Sequence, residues 1–270
     1  MLRRWSIPLT TLALVVGSVL AAGGASAAAH PAAHRAAHPS VRGWNPGGLM
    51  HHVSGVTPAA GGVRHADEST NWSGYAVTGG TGAFTSISAS WTEPTGHCTS
   101  GHQYSSFWVG LDGFNSGSVE QTGTEVDCSS GTPQYYSWYE MYPAFPVNYP
   151  DTVRPGDHFT ASVTFSGTNT YTLTLSDTTR GWSHSTVKNQ SGLARSSAEV
   201  ITEAPSSNRG VLPLANFGTV TYSASAANGT SLGTQAPTEI IMIDNSGRDK
   251  DSTSAINSAG GFSNTWLRAN

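Results

Sequence analysis

The chain has 270 residues; 11% are charged, 31 are glycine, and lysine occurs only at Lys188 and Lys250. That length and a Ser/Thr/Gly-rich balance suit one large or two small strand- and turn-rich domains of a secreted protein better than a cytosolic helical one. The formal charge is −4, and without residues 1–68 it becomes −7, with eight basic and 15 acidic side chains left; so acidic a domain disfavours a nucleic-acid partner, whose phosphates it would repel.

The N-terminus reads as a secretory signal peptide over residues 1–27. MLRRW is the positive region, IPLTTLALVVGSVLAA a short apolar core and Ala25-Ser26-Ala27 the small-residue cleavage site. The apolar run is too short for a membrane anchor, and no later segment could span a bilayer as a helix. Residues 28–68 form an Ala/His/Pro-rich stretch with three AAH triplets and six of the ten histidines. This composition fits a disordered segment or a propeptide removed on maturation. Clustered histidines alone do not imply ligand geometry, and no metal or cofactor is expected.

From Asn71 onward the pattern is strand alternation. Ile87, Ala89 and Trp91 share a face. Val119, Gln121, Gly123 and Glu125 share another, which presents an amide and a carboxylate where aliphatics would be expected. Tyr136, Trp138, Glu140 and Tyr142 alternate with Tyr135, Ser137, Tyr139 and Met141. Phe159, Ala161, Val163 and Phe165 form a clean apolar face, as do Tyr171, Leu173 and Leu175; SAEVITEAP, FGTVTYSAS and TEIIMID continue the series. RPGD, SGTN, APSSN, AANG and DNSG supply the turns between strands. Many short strands without a helical period predict an all-β, antiparallel two-sheet sandwich or a barrel. Cys98 and Cys128 are expected to form one disulfide outside the cell.

The residues allow few chemistries. There is no G-x-S-x-G elbow, no phosphate-binding glycine loop and no H-E-x-x-H zinc motif. His97, His102, His158 and His184 occupy no suggestive context. Carboxylates remain: Glu125, Glu140, Glu199 and Glu203 on strand faces, and Asp112 in the turn of WVGLDG. With Gln121 and aromatics expected to be exposed on the same face, they suggest an acid–base site in a cleft for an extended polymer. Three readings are open at this point. One is a peptidase using a carboxylate to activate water. Another is a two-carboxylate glycosidase using Glu140 with Glu203. The third is a non-catalytic carbohydrate- or protein-binding sandwich.

The stretches NWSGYAV (71–77), ASWTEP (89–94), FWVGLDG (107–113), VEQTGTE (119–125), YSWYEMYP (136–143) and AEVITE (198–203) occur in this order. Together they resemble the eqolisins, the glutamic peptidases of fungi and bacteria, over essentially the whole chain from Asn71, and the chain is identified as a bacterial member. The resemblance implies a jelly-roll-like, concanavalin-like sandwich over residues 69–270 with the active site on a concave face. It implies a catalytic pair of Gln121, from the QTG motif, and Glu203, which closes A-E-x-I-x-E. Glu199 lies on the same strand face, so periodicity does not choose between the two glutamates. Trp108, Asp112, Glu125, Trp138 and Glu140 would line or support the cleft. Three positions depart from the better-known fungal pattern: Glu125 replaces an aspartate, Ala204 an acidic residue, and Tyr136 an aspartate found in one member.

The implied activity is that of a secreted acid endopeptidase acting as a monomer on proteins or peptides. Glu203 would activate water and Gln121 would stabilise the oxyanion. A base near the usual glutamate pKa of about 4.3 favours mildly acidic operation. The prosegment, cationic in mild acid through its histidines and arginines, is expected to cover the acidic cleft and to inhibit the enzyme until self-cleavage. No nucleic acid and, after signal cleavage, no membrane is expected as a partner.

Overall fold

The computed structural model of the protein describes residues 66–99, 101–128, 131–207 and 210–270. The expected signal peptide, and the expected propeptide up to residue 65, lie outside the described residues. In chain order the strands are β1 (Ala66–Ser69), β2 (Trp72–Thr78), β3 (Ser86–Thr92), β4 (Tyr104–Leu111), β5 (Val119–Asp127) and β6 (Gln134–Tyr142). There follow β7 (Val147–Asn148), β8 (His158–Phe165), β9 (Thr170–Asp177), β10 (Trp182–Asn189), β11 (Ser197–Glu203) and β12 (Ser206–Ser207). The last are β13 (Gly210–Val211), β14 (Thr219–Ala227), β15 (Thr230–Ser231), β16 (Thr238–Met242), β17 (Asp251–Thr253) and β18 (Phe262–Trp266). A single 3-10 turn, Leu232–Thr234, is the only helix among the described residues, so no described helix is long and apolar enough to cross a membrane.

Two large sheets build the sandwich. The first runs β1-β16-β2-β11-β4-β5-β6-β7 and the second β10-β9-β8-β3-β14-β18-β17, with β15 beside β14. The pairings are antiparallel except for β1, which lies parallel to β16. The expected propeptide boundary at residue 68 therefore falls inside a strand.

The second sheet shows the sequence logic most plainly. Phe159, Ala161 and Val163 of β8 and Tyr171, Leu173 and Leu175 of β9 are buried, while Thr and Ser alternate with them toward solvent. The β8–β9 turn takes positive φ at Gly167, Thr168 and Asn169. Phe107, Val109, Leu111, Val126 and Val200 of the first sheet meet these side chains in the core between the sheets. Polar ties cross that core. Trp91 Nε1 donates to Thr124 Oγ1 at 3.0 Å, and the Tyr222 hydroxyl donates to the Ile201 carbonyl at 2.9 Å. The Cys98–Cys128 disulfide forms as expected, with Cα atoms 5.3 Å apart, and joins the β3–β4 connection to the end of β5.

Four strands of the first sheet, β2, β4, β5 and β11, are buried almost end to end, because that sheet has apolar clusters on both faces. The outer cluster contains Trp72, Trp108, Val119, Trp138 and Ile201. The expected polar residues stand among them.

Candidate active site

Strand register sets the site in rows. Glu203 of β11 pairs with Ser106 of β4, Ser106 with Glu125 of β5, and Glu125 with Tyr136 of β6. Two residues along, Ile201, Trp108, Gly123 and Trp138 are aligned; two further, Glu199, Gly110, Gln121 and Glu140. A period of two puts all twelve on one face, that of the outer cluster. Gln121 thus shares its row with Glu199 and Glu140, whereas Glu203 stands two rows away beside Glu125.

Trp108 connects the rows. Its Nε1 donates to Glu203 Oε2 at 2.9 Å. Its ring leans over Gly110, where a Cβ would come 2.8 Å from Cζ3 and 3.3 Å from Gln121 Cβ. Trp72 meets Trp108 edge to face, with centroids 4.9 Å apart, an arrangement worth about 1 kcal/mol beyond burial. Trp108 and Trp138 are fully buried, which corrects the expectation of exposed cleft aromatics: the indoles pack on one another and on Ile201 rather than standing in water. Gly123, between Trp108 and Trp138 in the middle row, is required by packing. A Cβ there would collide with the Phe107 carbonyl oxygen and lie 2.6 Å from Trp108 Cβ, so the glycine lets β4 and β5 close beneath the indole.

The carboxyl groups divide by environment. Burial pushes Glu199 well above the usual glutamate range, Asp112 adds to the rise, and Ser197 offsets little of it. Neither Glu199 oxygen has a hydrogen-bond partner of normal geometry. Burial likewise raises Glu140 well above its usual value, although Gln121 Nε2 donates to its Oε2 at 2.5 Å. Glu125 is raised by burial first and then by Asp127, which itself accepts the Tyr136 hydroxyl at 2.8 Å. In mild acid these three are neutral acids. Glu203 differs: Trp108 Nε1 donates to one oxygen and Asn71 Nδ2 donates to the other at 3.3 Å. Two N–H donors favour the carboxylate form.

The other expected residues fall into place around these rows. Asp112 is at the end of β4 in the left-handed region, at φ 70°. Its carboxylate accepts the backbone N–H of Arg195 at 2.6 Å and of Ser196 at 2.9 Å, so it braces the entry to β11 and touches neither Gln121 nor Glu203 by hydrogen bond. His184 stacks on Tyr149 and approaches Asp151 at 2.6 Å on β10, in the other sheet. Asn71 was legible only as part of NWSGYAV; its tie to Glu203 spans 132 residues of chain and carries no local signal. The glycosidase pairing finds no support, because Glu140 is engaged by Gln121, and Glu203 by Trp108 and Asn71, in separate rows.

Comparison with known proteins agrees with this architecture. The sequence model of the Peptidase A4 family matches residues 70–265. Aspergillopepsin-2 of Aspergillus niger is 30% identical over 207 residues, covering 68% of this chain and 72% of that protein. The crystal structure of scytalido-glutamic peptidase with a transition-state analogue inhibitor superposes with a TM-score of 0.64 at 26% identity, covering 73% of this chain and 98% of that one. The crystal structure of aspergilloglutamic peptidase from Aspergillus niger gives a TM-score of 0.55 at 26% identity, covering 61% and 99%. With the family's sequence pattern matched across most of the chain and its sandwich reproduced, the protein belongs to the Peptidase A4 family, the eqolisins, and is a glutamic-type endopeptidase.

Proposed function

We propose that the protein is a secreted acid endopeptidase whose catalytic pair is Gln121 and Glu203. The observation that supports Glu203 over Glu199 is its pair of N–H donors, which favour a carboxylate, whereas neither Glu199 oxygen has a hydrogen-bond partner of normal geometry. In this mechanism the Glu203 carboxylate takes a proton from water as the water oxygen bonds to the scissile carbonyl carbon. A Gln121 N–H donates to the developing oxyanion. Glu140 accepts the other N–H and fixes the amide. Collapse of the tetrahedral intermediate breaks the C–N bond, and Glu203 returns its proton to the leaving amine. Gln121 positions and polarises; it transfers no proton, because an amide does not ionise in this range.

Export follows from the signal-peptide pattern, and one sandwich carries every residue the mechanism uses, which fits a monomer. The Ala/His/Pro-rich stretch is the inhibitor in the zymogen, its basic side chains held by the net negative charge of the domain rather than by the cleft carboxyls that burial keeps protonated in mild acid. The pairing of Ala66–Ser69 with β16 in the first sheet supports a maturation cut before Ala66. The test is proteolysis of denatured casein by the secreted protein between about pH 2 and about pH 7, with pepstatin and EDTA as controls. Acid cleavage insensitive to both, and lost in Gln121→Ala, is the expected result. Cleavage that peaks at neutral pH, or that EDTA abolishes, would refute the reading.

A further inference from the structure

The link between strand β1 and the proposed base is a chain of three side chains. Asn71, just before β2, donates from Nδ2 to Glu203 Oε1 at 3.3 Å. An amide can present either its nitrogen or its oxygen to a neighbour, and only the nitrogen suits a carboxylate. Ser69 makes that choice. Its Oγ accepts the backbone N–H of Asn71 at 3.3 Å and of Trp72 at 3.1 Å. With both lone pairs used, its one hydrogen is directed to Asn71 Oδ1, 3.1 Å away. The Asn71 amide is thereby turned so that Nδ2 meets Glu203. All three residues are fully buried. Backbone bonds hold the frame: Ile243 N donates to the Ser69 carbonyl at 2.8 Å, and Ala204 N, next to Glu203, donates to the Asn71 carbonyl at 2.8 Å.

We infer that Asn71 is a positioning residue for Glu203, its amide oriented by Ser69, so that β1 is part of the catalytic apparatus; this rests on the reading of Glu203 as the base. The mechanism is electrostatic. A donated N–H stabilises the carboxylate more than the acid, so it keeps the base ionised further into the acid range. Among the titratable groups of the described residues, Glu125 on β5 faces Glu203, and Asp127 on β5 and Tyr136 on β6 stand against Glu125. The flanking strands β2 and β4 present Trp72, Ser106 and Trp108, which do not titrate there. Glu125 is held neutral in mild acid, so it neither repels Glu203 nor replaces the lost donor.

The experiment is the pH dependence of kcat/KM for the matured enzyme on an internally quenched peptide, whose acid limb reports the essential base of the free enzyme. Asn71→Ala should move that limb upward by about one pH unit. Ser69→Ala should move it in the same direction by less, and Ser69→Thr, which keeps the hydroxyl, should restore the wild-type limb. If Asn71→Ala does not fold, the Ser69 pair carries the test alone. A limb that stays at its wild-type position in both alanine variants would overturn the inference, even if activity fell at every pH, since that is the signature of general loosening. Glu203→Gln, measured alongside, separates the two claims: if it keeps full activity, the base itself is misassigned; if it is inactive while the limb stays put, only the role of Asn71 fails.

Discussion

At the residue scale, the site works by giving chemically identical side chains different protonation states. Glu140 is held neutral in acid by burial, and its role toward Gln121 is that of a hydrogen-bond acceptor. A carboxamide can accept the same N–H with nearly the same shape. Glu140→Gln is therefore expected to keep kcat/KM near pH 4 within about threefold, whereas Glu140→Ala, which leaves the Gln121 amide unanchored, should lower it about 10-fold or more. Steady-state kinetics on one peptide would check both. A large loss in Glu140→Gln would mean that Glu140 must ionise or transfer a proton.

At the element scale, the catalytic face depends on how closely β4 and β5 approach. Gly123 faces Trp108 across that pairing, and any Cβ there meets the Phe107 backbone. Gly123→Ala should cost about 2 kcal/mol through strain, read as a lower urea midpoint, and should also lower activity by shifting the indole that holds Glu203. The same strands show what the sequence could reveal. In β8 and β9 alternation was plain, because apolar side chains mark the core-facing side. The shared face of Gln121 and Glu125 was equally readable from the period of two. β1 was not: ADES carries no apolar alternation, and its parallel pairing with β16 is made by backbone bonds that composition does not encode. The two-residue strands β7, β12, β13 and β15 are too short to carry a period. The choice between Glu199 and Glu203 was open for a physical reason as well. Both lie on one strand face, and what separates them is the donors supplied by Asn71 and Trp108, distant in sequence.

For the described domain as a whole, buried carboxyl groups tie stability to acid. Burial raises Glu93 to about 8 and Glu120 to about 9. It also raises Asp251, which hydrogen-bonds Ser73 between the sheets, to about 7. The sign follows from proton counting. Below the unfolded-state carboxylate pKa of about 4, both states bind these protons and folding is not penalised. As pH rises, the unfolded chain releases them while the fold retains them, so stability falls until the folded pKa values are passed. The melting temperature should therefore drop by at least about 5 °C between about pH 4 and about pH 8. Glu93→Gln should flatten part of that slope. Calorimetric or fluorescence melts across pH would show it, and a melting temperature that rose toward neutrality would contradict the protonation states assigned here.

The central claim is that Glu203, and not Glu199 on the same face of β11, is the base. The most direct measurement is kcat/KM near pH 4 for Glu203→Gln and Glu199→Gln, side by side, with melting temperatures to confirm folding. Glu199 is already neutral, so its amide should be tolerated within about threefold, while Glu203→Gln should lose about 10³-fold or more. The reverse order, with Glu199→Gln inactive and Glu203→Gln active, would place the base in the row of Gln121 and contradict the account.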